Sequence, residues 1–250
     1  MKDSRESASI KLISLNIERA KHLGTTLSFL DKEKPEIVCV QEILENDTAR
    51  FASILGEAEY VFAPLLRHME EQGNPIVGEA IFSCLRVVRK EVQYYVGNAN
   101  DIPKHRPSEE IGNGHTMNCA LVTLAVEKDG SLFNIGTTHF TWSPNGETTS
   151  EQRIHLKKLL GTLGTHNEIV FTGDFNAPRG GEIFSMLADK YKDNVPAHYT
   201  ASIDGNFHRA GHLNFMVDGL FSTPAYKVSD AKMVSGLSDH CALVATVSKT

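Results

Sequence analysis

Ile169-Val170-Phe171-Thr172-Gly173-Asp174-Phe175-Asn176 is an apolar run that ends in an acid and a carboxamide two positions apart. Its first four residues read as a short buried strand. Acids, carboxamides and histidines are poor strand formers. The same ending nevertheless recurs outward along the chain, at Ser14-Leu15-Asn16-Ile17, Gln41-Glu42, Thr137-Thr138-His139-Phe140 and Ser238-Asp239-His240. Val217-Asp218-Gly219-Leu220-Phe221 adds a sixth element before the last of these. Repetition at strand ends points to one polar site built from many segments. Carboxylates, asparagines and two histidines together suit the holding of a hard metal ion and a phosphate while water attacks.

Around these motifs the pattern predicts strands at 10–17, 37–40, 60–65, 80–84, 87–96, 117–126, 132–140, 169–172, 215–221 and 241–247. Helices are expected over 19–34, 47–55 and 148–163, and from Gly181 to about Lys190, with Pro35 stopping the first and Thr148 or Thr149 capping the third. Two hairpins are expected. One pairs 80–84 with 87–96, and the other pairs 117–126 with 132–140 across Lys128-Asp129-Gly130, where Asp-Gly is a good turn former. Polar loops are expected at 67–78, 97–114 and 199–213. Strands outnumber helices and hairpins mix with βα steps, which favours an α/β sandwich with mostly antiparallel pairing over a doubly wound parallel sheet. Residues 1–9 read as a flexible N-terminus and 10–250 as one domain.

With 250 residues, 41% of them hydrophobic, the chain has enough apolar mass for one sizeable core. The net charge is −6. A protein held mainly by phosphate-backbone contacts is usually basic, so nucleic-acid binding here must use a local patch or a metal. Candidate patches are Arg19, Lys21 and His22; Arg67 and His68; and Lys104, His105 and Arg106. Each has a plainer reading as solvated loop charge. Cys39, Cys84, Cys119 and Cys241 lie in apolar runs without zinc-like spacing, so four buried, reduced thiols are expected. The polar N-terminus has no signal-peptide h-region and no apolar stretch is long enough to span a bilayer. A cytoplasmic monomer is the expectation.

The ordered motif set resembles the endonuclease/exonuclease/phosphatase superfamily, which includes deoxyribonuclease I-like nucleases, AP endonucleases, tyrosyl-DNA phosphodiesterases, sphingomyelinases and inositol-phosphate phosphatases. The resemblance runs from Leu12 to Val247. It implies a four-layer α/β/β/α sandwich, two mostly antiparallel sheets packed face to face, with the site where the inner sheets meet loops. It implies Glu42 on Mg²⁺ (or Mn²⁺), with Asn16 and Asp239 nearby. Asp174 becomes the general base or water positioner, and Asp218 the carboxylate that fixes the tautomer of His240. His139 matches the histidine of the nuclease and phosphatase branches, with Glu79 in the place of its carboxylate partner. If the chain is extended from Asp174 to Asn176, the Asn176 side chain shares a side with Asp174 and its amide is free for a phosphate oxygen. In isolation the plainer readings would be a helix-terminal Glu42, an Asx turn at Asp174 leading into Pro178, and core histidines.

Gly219 departs from the family pattern, which has a bulky residue after the Asp; looser packing is expected there. Arg153 reads as a site-edge cation or a solvated helix charge, and Trp142 as a stacking surface or loop packing. The function expected is metal-dependent hydrolysis of a phosphodiester, DNA and RNA among the candidate substrates, by in-line attack of water. A phosphatase or phosphodiesterase of a small molecule, lipid headgroup or tyrosyl-DNA end is the alternative. A non-catalytic binding module is disfavoured because every expected site residue is present.

Overall fold

The computed structural model describes residues 8–106 and 117–250. Along the chain it contains β1 (Ser9–Asn16), α1 (Leu23–Glu33), β2 (Ile37–Leu44), α2 (Thr48–Ile54), β3 (Glu59–His68), β4 (Ile76–Ser83), β5 (Arg86–Val96) and β6 (Lys104–His105). Then follow β7 (Cys119–Lys128), β8 (Ser131–His139), α3 (Ser150–Leu163), β9 (Val170–Asp174), α4 (Glu182–Ala188), β10 (Lys192–Asp193), β11 (Asp218–Ser222), β12 (Tyr226–Val234) and β13 (Ala242–Lys249). A seven-stranded sheet has the order β12-β13-β1-β2-β4-β3-β6, and a six-stranded sheet the order β10-β11-β9-β8-β7-β5.

Strand alternation sorts the apolar side chains into layers, because successive residues face opposite sides of a sheet. Leu12 and Cys39 turn inward, where they join Val122, Leu124 and Ile135 of the second sheet in the inter-sheet core. Their neighbours Ile13 and Val38 turn outward and are covered by Leu23 and Leu30 of α1 and Phe51 of α2. On the far face, Leu121 and Phe171 pack under Leu156, Leu159 and Leu163 of α3 and Ile183, Phe184 and Leu187 of α4. The layers therefore run α/β/β/α, and most strand pairs are antiparallel, with β1–β2, β3–β6 and β8–β9 parallel.

The β7–β8 hairpin forms as expected, with Asp129 and Gly130 both at positive φ. The other expected hairpin does not. β4 is hydrogen-bonded on both edges, to β2 and to β3, so it has none left for β5. The chain crosses at Cys84-Leu85 to the other sheet, where β5 pairs with β7. The expected loop at 67–78 is shorter, because β3 continues through His68 and β4 begins at Ile76. Helix α1 starts at Leu23 rather than residue 19, since Glu18 and Arg19 hold left-handed φ values of 45° and 63°. Cys39 and Cys119 are buried, Cys241 is half-buried and Cys84 is exposed, which corrects the expectation of four buried thiols; all four are reduced. Among the described residues no helix is long and apolar enough to cross a membrane. Most of the expected flexible segment 1–9, and part of the loop at 97–114, fall outside the described residues.

Candidate active site

Strand register alone gathers half of the site. His139 at the end of β8 stands beside Asp174 at the end of β9, which in turn stands beside Asp218 at the start of β11. On the facing sheet Asn16 ends β1 beside Gln41 of β2. His240 immediately precedes the β13 region, whose antiparallel pairing with β1 returns it to the same end of the molecule.

Two backbone irregularities aim the side chains. The β2–β4 register slips between Val40 and Ile43, and Glu42 inside that slip has φ of 55°. The bulge lets consecutive residues diverge. Gln41 turns into the protein, where Nε2 donates to Thr137 Oγ1 at 2.7 Å, while Glu42 reaches the site. The second irregularity is an Asx turn. Asn176, at φ of 47°, donates its N–H to Asp174 Oδ1 at 2.8 Å and its Nδ2 to the Phe140 carbonyl at 2.9 Å. The chain is not extended there, contrary to the expectation, and one of the two Asn176 Nδ2 hydrogens is taken by backbone.

Asp174 is the hub. Its Oδ2 accepts a hydrogen bond from Asn16 Nδ2 at 3.2 Å and lies 3.5 Å from His139 Nε2 and 3.7 Å from His240 Nε2. His240 Nδ1 sits 2.8 Å from Asp218 Oδ2. Burial works against the His240 imidazolium, but the Asp218, Asp174 and Asp239 carboxylates outweigh it and hold the ring well above its ordinary pKa. Asp218, in the same buried pair, is raised by burial and pulled back by His240.

A second pole is acidic. Asn16 Nδ2 also donates to Glu42 Oε1 at 3.3 Å. Burial pushes the Asp239 carboxyl up to about 6, with Glu42 and Glu18 adding to the push and His240 opposing it. Crowded hard oxygen donors of this kind fit Mg²⁺ or Mn²⁺, ions taken by carboxylates and carboxamides rather than by thiols. Asp174, Asp218 and His240 also offer ligand atoms within 4.8 Å of one another. Their hydrogen bonds to Asn16, Asn176 and each other already satisfy much of that group.

Glu79, on β4, is wholly buried and neither carboxylate oxygen has a hydrogen-bond partner among the described residues. Burial holds its carboxyl well above the usual range, with the nearby His139 backbone N–H opposing. The folded state thus keeps a proton that the unfolded chain releases above about 4.5. Stability should therefore fall as pH rises from there toward the folded-state pKa, by up to about 1.4 kcal/mol per unit. Glu79→Gln is expected to flatten Tm against pH over that window and to match or exceed the wild type at pH 8; a slope unchanged by the substitution would contradict this.

The weaker candidates separate from the cluster. Arg153 makes an exposed two-pronged pair with Glu182, both bonds 2.7 Å. Trp142 is half-exposed just beyond His139. Gly219 is tightly packed rather than loose: a Cβ there would meet Phe221 Cε2 at 2.6 Å and Phe175 Cε2 at 2.8 Å. Of the basic residues, Arg19 Nη1 lies 3.3 Å from Glu42 and its Nε 2.8 Å from Glu71, while Lys21 pairs with Glu18. Arg67 and His68 stand in register with Lys104 and His105. Gln152 and Ser202 escaped the sequence reading. Gln152 is buried at the start of α3 and its Nε2 donates to the carbonyls of Thr141 at 2.8 Å and Asn176 at 3.3 Å, tying the loops after β8 and β9 together. A glutamine in a polar helix turn carries no signal of such a role.

No curated protein sequence matches the chain significantly. Solved structures share its fold at low identity. An endonuclease/exonuclease/phosphatase from Bacteroides vulgatus superposes with a TM-score of 0.72 at 16% identity, covering 97% of this chain and 100% of the other. The human Nocturnin catalytic domain with bound sulfate gives 0.74 at 17%, with 97% and 95% covered. A mannosyl-6-phosphatase of Bacteroides thetaiotaomicron gives 0.65 at 13%, with 95% and 99% covered. The family description "Endonuclease/Exonuclease/phosphatase family" matches residues 13–240, from inside β1 to the last site histidine, and the chain belongs to that family.

Proposed function

We propose that the chain is a divalent-metal-dependent phosphoesterase that cleaves a phosphodiester by in-line attack of water. The observation that carries this reading is the Asp174 carboxylate, buried and ringed within 3.7 Å by Asn16, His139 and His240. A carboxylate so placed can orient a water and take its proton. His240, kept charged by Asp218, donates toward the phosphorane charge, and His139 donates to the same charge or protonates the leaving oxygen. Glu42, Asn16 and Asp239 would hold the cation, which when bound would neutralise phosphate charge and stabilise the leaving oxygen. Asn176 contributes indirectly, by fixing Asp174 through its N–H.

A second reading, a small phosphate ester as substrate, is favoured by one observation. Arg19 and Lys21, at the rim, are paired with acids of the same chain, which weakens the positive field a polyanion needs. The two readings separate in one assay series: bis-p-nitrophenyl phosphate, single- and double-stranded DNA, RNA and sugar phosphates, each with Mg²⁺ or Mn²⁺. Turnover is expected in the metal series and lost on chelation. Glu42→Gln should lower it about 10²-fold, with partial recovery at raised Mg²⁺. Equal turnover with and without chelator would overturn the metal-dependent reading.

A further inference from the structure

Ser202 lies in the polar stretch between β10 and β11, yet it is wholly buried. Its Oγ accepts the N–H of Val217 at 3.0 Å and of Asp218 at 3.1 Å. A serine hydroxyl accepts two hydrogen bonds and donates one. The Ser202 side chain also works against the burial that raises the Asp218 carboxyl. The backbone of the same residue reaches the other member of the pair. The Ser202 N–H donates to the Phe215 carbonyl at 2.9 Å, the Cys241 N–H donates to the Ser202 carbonyl at 2.8 Å, and Ile203 bridges to His240.

We propose that Ser202 is a positioning residue for the hydrolysis, clipping Asp218 by its side chain to the strand that carries His240 on its backbone. The inference rests on the hydrolytic reading above. Asp218 can orient the His240 ring only while its own place on the strand is fixed, and Ser202 Oγ anchors that place through the N–H groups of Val217 and Asp218. Removing the hydroxyl takes the side-chain acceptor from two buried N–H groups, those of Val217 and Asp218. The backbone contacts to Phe215, Cys241 and His240 do not depend on the side chain, so the substitution separates orientation from the rest of the strap.

The test compares Ser202→Ala, Ser202→Thr and Ser202→Cys with the wild type and with Leu159→Ala, a core variant remote from the site. kcat and KM are read on bis-p-nitrophenyl phosphate, and the His240 Nδ1–H resonance by NMR on the metal-free protein. Ser202→Ala should lower kcat about tenfold with KM within twofold, and move or broaden the His240 resonance. The threonine, which keeps the hydroxyl, should restore both, and the cysteine should fall between. Leu159→Ala should lose stability and leave the resonance in place. Wild-type kcat and resonance in the alanine variant, or in the cysteine variant if the alanine one does not fold, would overturn the proposal. A wild type inactive on every phosphoester would remove the hydrolytic reading instead, and the resonance would still decide whether Ser202 positions His240.

Discussion

Gly173→Ala is expected to destabilise the fold by about 2–6 kcal/mol, a large share of the about 5–15 kcal/mol that holds a protein of ordinary stability. Two independent effects add here. Gly173 has φ of 152°, a region that side chains rarely adopt, and a residue forced into such backbone costs about 1–3 kcal/mol. A Cβ would also stand 1.9 Å from the Thr138 carbonyl oxygen and 2.9 Å from its carbon. Those atoms are backbone of the neighbouring parallel strand, in register at Thr138–Gly173, so no side chain can swing aside. Overpacking of this kind adds about 1–3 kcal/mol. Relief requires β9 to move off β8, and the next register pair is His139–Asp174. Denaturant titration and thermal melting check the expectation; at this chain length the loss corresponds to a Tm fall on the order of 10 °C or more. An alanine variant within 1 kcal/mol of the wild type would show that the close approach is not needed.

The site was legible where a polar residue interrupts an apolar strand. Asn16, His139, Asp174 and Asp218 stand out because burial of such groups in a strand demands a partner, and strand register then places them side by side. Glu42 was legible as an acid at a strand end, but the bulge that aims it was not, since a left-handed glutamate leaves no mark in composition. Asn176 shows the reverse. Its identity suggested a ligand contact, whereas the plainer reading, an Asx turn, is what forms. Sheet pairing was hard to read for a physical reason. A tight link between two strands reads as a hairpin, but whether it closes depends on free edges, and both edges of β4 are filled by segments remote from β5. β12 was missed because its alternation is broken by a register shift after Ser229, with Asp230 at φ of 54°. Ser202 and Gln152 were invisible because their work is done on backbone amides and carbonyls, which every sequence has.

Asp174→Asn is expected to lower kcat about 10³-fold while leaving the fold intact. The substitution is nearly isosteric, and its Oδ1 can still accept the Asn176 N–H that shapes the turn. The change falls on Oδ2, which accepts from Asn16 Nδ2 and faces both imidazoles. An amide NH₂ in that place meets the Asn16 donor head-on, and it can neither take a proton from water nor hold a negative charge between two histidines. Loss of a general base is worth about 10²–10⁴-fold. His240 changes as well. Asp174 is one of the carboxylates that keep His240 above its ordinary pKa against the pull of burial, so its neutralisation lets the imidazolium release its proton at lower pH. A rate that needs charged His240 should therefore lose its alkaline limb earlier in Asp174→Asn than in the wild type, and the ring's NMR titration should shift the same way. Asp218 remains in contact at 2.8 Å, so the shift is partial rather than complete. If the variant keeps more than a tenth of wild-type kcat, water activation does not run through Asp174. If kcat falls but the His240 titration stays where it was, the carboxylate acts on the water alone, and His240 draws its charge from Asp218 and Asp239.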